Sequence, residues 1–209
     1  MVDGGLVETL GTHPPPDVFT TRALPWILYT EGGFSDVPED GGGPTNLGVS
    51  LRAVKLRDHD RDGQLDFDLD RDGDVDVDDI RLMTVPAAAR LYRESYWSLG
   101  GSGTPATCDD FPAGIALALF DASVNSGPRA AVAFLQRGLG VKADGLAGPV
   151  TIRQAWAAPV GGLLRSLTAR LEFMRGRKNA PTFFRGWSRR VLELEAYIGP
   201  RFVLPGPKA

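Results

Sequence analysis

The chain has 209 residues, 43% of them hydrophobic, and a formal charge of −3, which suits one compact domain with at most a small appendage and excludes disorder throughout. Its single cysteine, Cys108, excludes an internal disulfide framework and any cysteine-rich zinc site. No run reaches the ~18 apolar residues of a membrane span. The opening MVDGGLVETLGTHPPPD has neither the basic start nor the apolar stretch of a secretory signal, so cytoplasmic synthesis without a signal peptide and no stable membrane insertion are expected.

In chain order, residues 1–16 are too rich in Gly and Pro for a helix and read as a flexible leader. Asp17 caps a helix whose apolar positions Leu24, Ile27 and Leu28 recur at three and four residues, with Pro25 predicting a kink. Glu31 lies on the same inward face, and Gly32-Gly33 ends the helix behind it. From Phe34 to Gly48 the composition predicts turns or a short hairpin returning past Glu31. A second helix is expected over Leu51–Arg57 and a third, AAARLYRESYW, after Thr84. The stretch beginning near Pro112 is apolar nearly all round, as a central buried helix should be. Further helices are expected over 129–139, from Pro149, over Leu163–Arg175 and over Phe184–Tyr197, with Trp187 buried. The fold class is therefore all-α. Its expected organisation is a first region over 17–110 with an acidic insertion at 58–79, a helical region over 111–200 packed on it, and a tail over 201–209.

Charge is unevenly divided. Residues 1–110 hold 21 acidic and 9 basic side chains, and 111–209 hold 5 and 14. Eleven aspartates between Asp58 and Asp79 meet only Arg61 and Arg71. A solvated acidic linker has no reason to repeat D-x-D-x-D-G at a ten-residue interval, as this segment does. A twelve-residue calcium loop takes oxygen ligands at positions 1, 3, 5, 7, 9 and 12 and needs Gly at 6. From Asp68 the set is complete, with Asp70, Asp72, Gly73, the carbonyl of Asp74, Asp76 through water, and Asp79. From Asp58 it is partial: Asp60, Asp62, Gln64 and Asp66 fit, but position 12 is Leu69. One Ca2+ is expected and two are allowed, as structural staples.

Glu31, Asp40 and Thr45 are the candidate catalytic residues. Glycosidic hydrolysis needs a protonated carboxyl for the leaving oxygen and an ionised one to activate water or stabilise the transition state. Glu31 on an inward helix face suits the acid, and Asp40 in a polar glycine-rich loop suits the base. The bland alternatives are a helix-terminal salt bridge for Glu31 and ordinary turn roles for Asp40 and Thr45. With only His13 and His59 present, a Ser-His or Cys-His nucleophile system is disfavoured.

The stretch EGGFSDVPEDGGGPTNLGVSL resembles the E-G-G-Y-x-x-D-P-x-D-x-G-G-x-T-N-x-G-I-T signature of glycoside hydrolase family 108, the phage-type N-acetylmuramidases used as endolysins. YRESYW, FRGWSRRV and LFDASVNSGPRAAVAFLQRGLGVKADGLAGPVT continue the likeness, the last being similar to that family's C-terminal peptidoglycan-binding region. The resemblance implies a lysozyme-like helical enzyme that cleaves the β-1,4 bond between N-acetylmuramic acid and N-acetylglucosamine, acting at the cell wall as a monomer beside a holin-type partner, and no nucleic acid. Glu31 matches the catalytic Glu, Asp40 the second acidic position, and Thr45-Asn46 the T-N pair. Phe34 stands in place of Tyr, and Asp36, one position before the family's first Asp, is a rival to Asp40. Asn46, Tyr96, Trp97 and Asn125 are candidate substrate contacts, with core packing the alternative for the two aromatics and helix capping for Asn125. Gln136, Asp144, Gly145 and Thr151 look like elements of peptidoglycan-binding helices or of the turn itself. A non-catalytic wall-binding module and a lytic transglycosylase are the competing functions.

Overall fold

The computed structural model describes residues 17–36, 43–59, 61–99 and 105–199; the expected leader and tail, Asp40 and Asp60 lie outside them. The described chain is mainly helical with one small two-stranded sheet. A π-helical turn, Phe19–Ala23, runs into α1, Leu24–Glu31. The expected effect of Pro25 is this change of hydrogen-bonding register: Leu24 N–H donates to the carbonyl of Phe19, five residues back. Strands β1 (Thr45–Asn46) and β2 (Val49–Ser50) form a hairpin. Then come α2 (Leu51–Val54), the acidic loops, α3 (Val77–Leu82) and α4 (Val85–Tyr92). Helix α2 stops short of the expected Arg57. The second half consists of α5 (Ala113–Ser126), α6 (Pro128–Leu139), α7 (Pro149–Ala157), α8 (Pro159–Arg175) and α9 (Ala180–Ile198).

The expected helix AAARLYRESYW splits into α4 and a π turn, Arg93–Trp97. A π turn aligns side chains five residues apart, and Tyr92 and Trp97 accordingly both meet Phe120 edge-on, at 5.9 and 5.6 Å between ring centroids. Phe19 joins the same cluster through Trp97 and Phe120. One turn of irregular helix thus anchors the first half on α5, which is buried continuously from Gly114 to Ser123.

Helices α6 and α8 cross closely because neither has a side chain at the crossing. A Cβ on Gly138 would lie 2.5 Å from the Ser166 backbone nitrogen, and one on Gly162 would lie 2.7 Å from a Leu139 methyl. The obstacle to Gly138 is backbone, which has no rotamer to yield. We therefore expect Gly138→Ala to destabilise the fold by about 1–3 kcal/mol, measured by chemical denaturation, with an unchanged midpoint refuting this account of the crossing.

Candidate active site

Glu31 is the last residue of α1, and Gly32 follows at φ 79°, a left-handed conformation that turns the chain away from the carboxyl. Arg190, from the middle of α9, donates through Nη1 to Glu31 Oε1 at 2.7 Å. Among the described residues no protein group bonds to the other carboxylate oxygen. Both side chains are largely covered, with 26% of Glu31 and 19% of Arg190 exposed.

Behind this pair lies Asp121, which is fully buried. Its carboxylate accepts from Arg190 Nε at 2.9 Å, Arg170 Nη1 at 2.6 Å and the Trp26 indole at 2.8 Å. Burial alone would raise the Asp121 carboxyl pKa, but the charges of Arg170 and Arg190 and the indole hydrogen bond outweigh it and hold it below the ordinary carboxylate value. The chain of contacts Glu31, Arg190, Asp121, Arg170 therefore ties the end of α1 to α9, α5 and α8. The sequence marks Asp121 as part of the polar helix end Asp121–Pro128 suited to a cleft, but gives no signal for Arg170 and none for Arg190 beyond its place inside FRGWSRRV.

The hairpin closes the other side of Glu31. Its turn residues Leu47 and Gly48 have φ of 51° and 75°, and Leu47 is strained there because a Cβ disfavours the left-handed region. Two contacts hold it. The Tyr92 hydroxyl donates to the Leu47 carbonyl at 2.9 Å, and Gly48 sits so close that a Cβ would lie 2.2 Å from that hydroxyl and 2.7 Å from Glu31 Cβ. Burial, then the charge of Glu31, push the Tyr92 phenol well above its usual pKa, so it remains a donor. Thr45 exchanges two backbone hydrogen bonds with Ser35, both 2.8 Å, closing the base of the segment that contains Asp40. Asp36, the rival carboxylate, is exposed at the near end of this segment.

The remaining candidates fall in different places. Asn46 donates its carboxamide to the carbonyls of Ile80 at 3.0 Å and Arg81 at 3.5 Å, tying the hairpin to α3. Tyr96 is half-buried against Tyr92. Trp97 is 1% exposed and its indole donates to Asp109 at 2.8 Å, so it has no open face for a sugar: its aromatic ring completes the core cluster instead. Asn125 is exposed and its carboxamide donates to the Asp121 carbonyl at 2.8 Å. Gln136 is buried and clamps a turn, donating to Asp144, Leu146 and Thr151 and accepting from Gly145 N–H. Trp187, expected in the core, is only half-buried, because α9 presents it at the margin of the core rather than inside it.

The two acidic loops repeat one geometry. Asp58 accepts from the amides of Asp62 and Gly63, and Asp68 from those of Asp72 and Gly73. Arg61 and Arg71 both have positive φ, and so do Gly63 and Gly73. They differ at the closing end. Asp79 is buried and caps the loop by accepting from the amides of Leu69, Asp70 and Asp76. Oxygens of Asp68, Asp70 and Asp79 lie within 4.8 Å of one another, as do those of Asp74, Asp76 and Asp79. Partial desolvation and the charges of Asp72, Asp79 and Asp68 raise the pKa of Asp70, and Asp72 is the main cause of a similar rise at Asp74. In the first loop Asp66 is instead paired with Arg90 at 2.5 Å and accepts from the His59 amide at 2.8 Å.

The glycosyl hydrolase 108 family model matches residues 24–127. The solved structure of Brucella abortus SagA superposes with a TM-score of 0.65 at 30% sequence identity, covering 84% of this chain and 90% of that one. This chain belongs to glycosyl hydrolase family 108. No curated protein matches it in sequence. As a family member it is a glycoside hydrolase. The family segment contains Glu31 and Asp121, while Arg170 and Arg190, which bind Asp121, come from beyond its end.

Removing one partner of a buried ion network leaves the others unpaired, so Asp121→Asn should cost about 3–5 kcal/mol at neutral pH. Because the folded pKa of Asp121 is depressed, its contribution is complete above the unfolded value of about 3.9 and is lost as pH falls through the folded value. Denaturation curves across pH should show the gap between parent and variant narrowing below about pH 4; a gap independent of pH would refute the role of this charge.

Proposed function

We propose that this glycoside hydrolase cleaves the β-1,4 bond between N-acetylmuramic acid and N-acetylglucosamine in bacterial peptidoglycan, with Glu31 as the proton donor. The observation that carries the reading is the Glu31 carboxyl itself: one oxygen is anchored by Arg190 and the other has no bond to a described protein group, beside a hairpin held against it by Gly48 and Tyr92. The free oxygen delivers a proton to the glycosidic oxygen as the bond to the anomeric carbon breaks. A water molecule supplies the hydroxyl that replaces it, with Asp40 taking its proton and Thr45 orienting it. The roles of Asp40 and Thr45 rest on the family resemblance and on the Ser35–Thr45 pairing that closes this segment. The basic second half suits an anionic wall, and the action at the wall follows from the substrate.

General acid catalysis contributes about 10²–10⁴-fold to a rate. Glu31→Gln should therefore lower release of reducing ends from purified cell walls by at least about 100-fold with an unchanged circular dichroism spectrum. Undiminished lysis would remove the assignment. Mass spectrometry of the wild-type digest should show hydrated reducing ends; anhydro-muramic ends would identify a lytic transglycosylase instead.

We further propose that the second acidic loop holds structural Ca2+ through Asp68, Asp70, Asp72, the carbonyl of Asp74, Asp76 and Asp79. The clustered oxygens around buried Asp79 and the turn at Gly73, φ 104°, support this. Engagement of Asp66 by Arg90, with Leu69 at position 12, favours the second loop over the first formed by Asp58, Asp60, Asp62, Gln64 and Asp66. Bound calcium would relieve repulsion among these carboxylates and fix α3, on which Asn46 hangs the hairpin. Calorimetric titration should show calcium binding that Asp79→Ala abolishes, and chelation should lower the thermal midpoint of the parent. No heat at millimolar calcium would defeat the proposal.

A further inference from the structure

We propose that Tyr92 is a positioning residue for the proton transfer: its hydroxyl holds the Leu47–Gly48 turn against Glu31, and the turn keeps the carboxyl that Arg190 anchors in one orientation. This rests on Glu31 being the proton donor. It names the residue outside the ion network that sets the geometry of that donor.

The turn does not hold itself. The register Thr45 with Ser50 and Asn46 with Val49 leaves Leu47 and Gly48 as a two-residue hairpin loop, with φ positive at both. Asn, Asp and Gly are the residues such a loop favours, because a Cβ resists the left-handed region. Leu47 is therefore a poor choice for its place, and strands of two residues each supply few ladder bonds to impose it. A backbone kept in a disfavoured region is kept there by its surroundings. Here the surroundings are the packing of half-buried Leu47 on the core and the 2.9 Å hydrogen bond that the Tyr92 hydroxyl donates to its carbonyl.

Tyr92 can impose the turn because its own place is fixed. It ends α4, is buried, and sets its ring against Tyr96 at 6.0 Å and Phe120 at 5.9 Å between centroids. Burial keeps the phenol protonated, so it stays a donor. Gly48 fills the gap between that hydroxyl and the Glu31 stem: a Cβ there would stand 2.2 Å from the first and 2.7 Å from the second. Hydroxyl, glycine and Glu31 are thus in series, and a shift of the turn is passed to the carboxyl. Phe120 and Asp121 are neighbours on α5. The first braces Tyr92, and the second grips Arg190, which bonds Glu31 Oε1 at 2.7 Å. Two adjacent residues of one helix therefore support Glu31 from both sides, through an ion pair on one and through close contact on the other.

The test compares full-length Tyr92→Phe with the parent on soluble peptidoglycan fragments, reading kcat and KM from the release of reducing ends. The variant loses one oxygen and keeps the ring on Phe120. Misplacing a reacting group by about 1 Å can cost about 10²-fold in rate. We therefore expect kcat to fall about 10- to 100-fold with KM changed by less than about twofold, the signature of an interaction that acts on the transition state. Gly138→Ala, at the α6–α8 crossing, is the control for lost stability, and below its thermal midpoint its kcat should equal that of the parent. Gly48→Ala, which crowds the gap beside Glu31, should lower kcat as Tyr92→Phe does, and it carries the test if Tyr92→Phe does not fold. An unchanged kcat in the variant that folds, or an equal loss in Gly138→Ala, overturns the positioning role while Glu31 stands as the proton donor. Activity retained by Glu31→Gln overturns that assignment instead.

Discussion

One buried carboxylate organises this molecule. Asp121 sits in the continuously buried stretch of α5, where an isolated charge would cost several kcal/mol, and two arginines and an indole from three other helices converge on it. The arrangement is mutually dependent: Arg170 is as buried as its partner and has no reason to be there without it. Such a network adds little to stability compared with an apolar core of the same shape. Its effect is to fix which faces of α1, α5, α8 and α9 meet, and so to fix the direction from which Arg190 reaches Glu31.

The same economy of contacts appears on the opposite side of Glu31. A leucine in the left-handed region and a glycine pressed against both the Glu31 stem and the Tyr92 hydroxyl form a turn that would relax if unsupported. Its support comes from α4 through Tyr92 and from α3 through Asn46. Because Asp79, which closes the second acidic loop, lies in the first turn of α3, that loop is mechanically joined to the hairpin. The insertion is therefore part of the scaffold that surrounds Glu31 and more than a decoration on it.

Much of the fold was legible. Helix periodicity, Pro at helix starts and Gly at their ends located α1 and α5 to α9, and the D-x-D-x-D-G repeat announced paired loops whose backbone does repeat. The failures were of two physical kinds. Hydrogen-bonding register was invisible: Pro25 announced a kink but not the π turn at Phe19–Ala23, Arg93–Trp97 was read as plain helix, and Trp97 was left between a sugar platform and the core, where its indole is locked. Half-burial was equally invisible, so Trp187 was placed in the core although a cleft lies against it.

The sequence by itself determined the helical class, the placement of Glu31 at an inward helix end before Gly-Gly, and the acidic repeat, because each depends on residues within a few positions of one another. Only the tertiary structure decided what Glu31 touches. Its partner Arg190 lies 159 residues away, and Asp121, which binds the other side of that guanidinium, lies 69 residues before Arg190. No local pattern marks one arginine among many as the one that reaches a buried carboxylate. That choice belongs to the packing of four helices, as does the separation of two near-identical loops into one that closes on Asp79 and one whose Asp66 is held by Arg90.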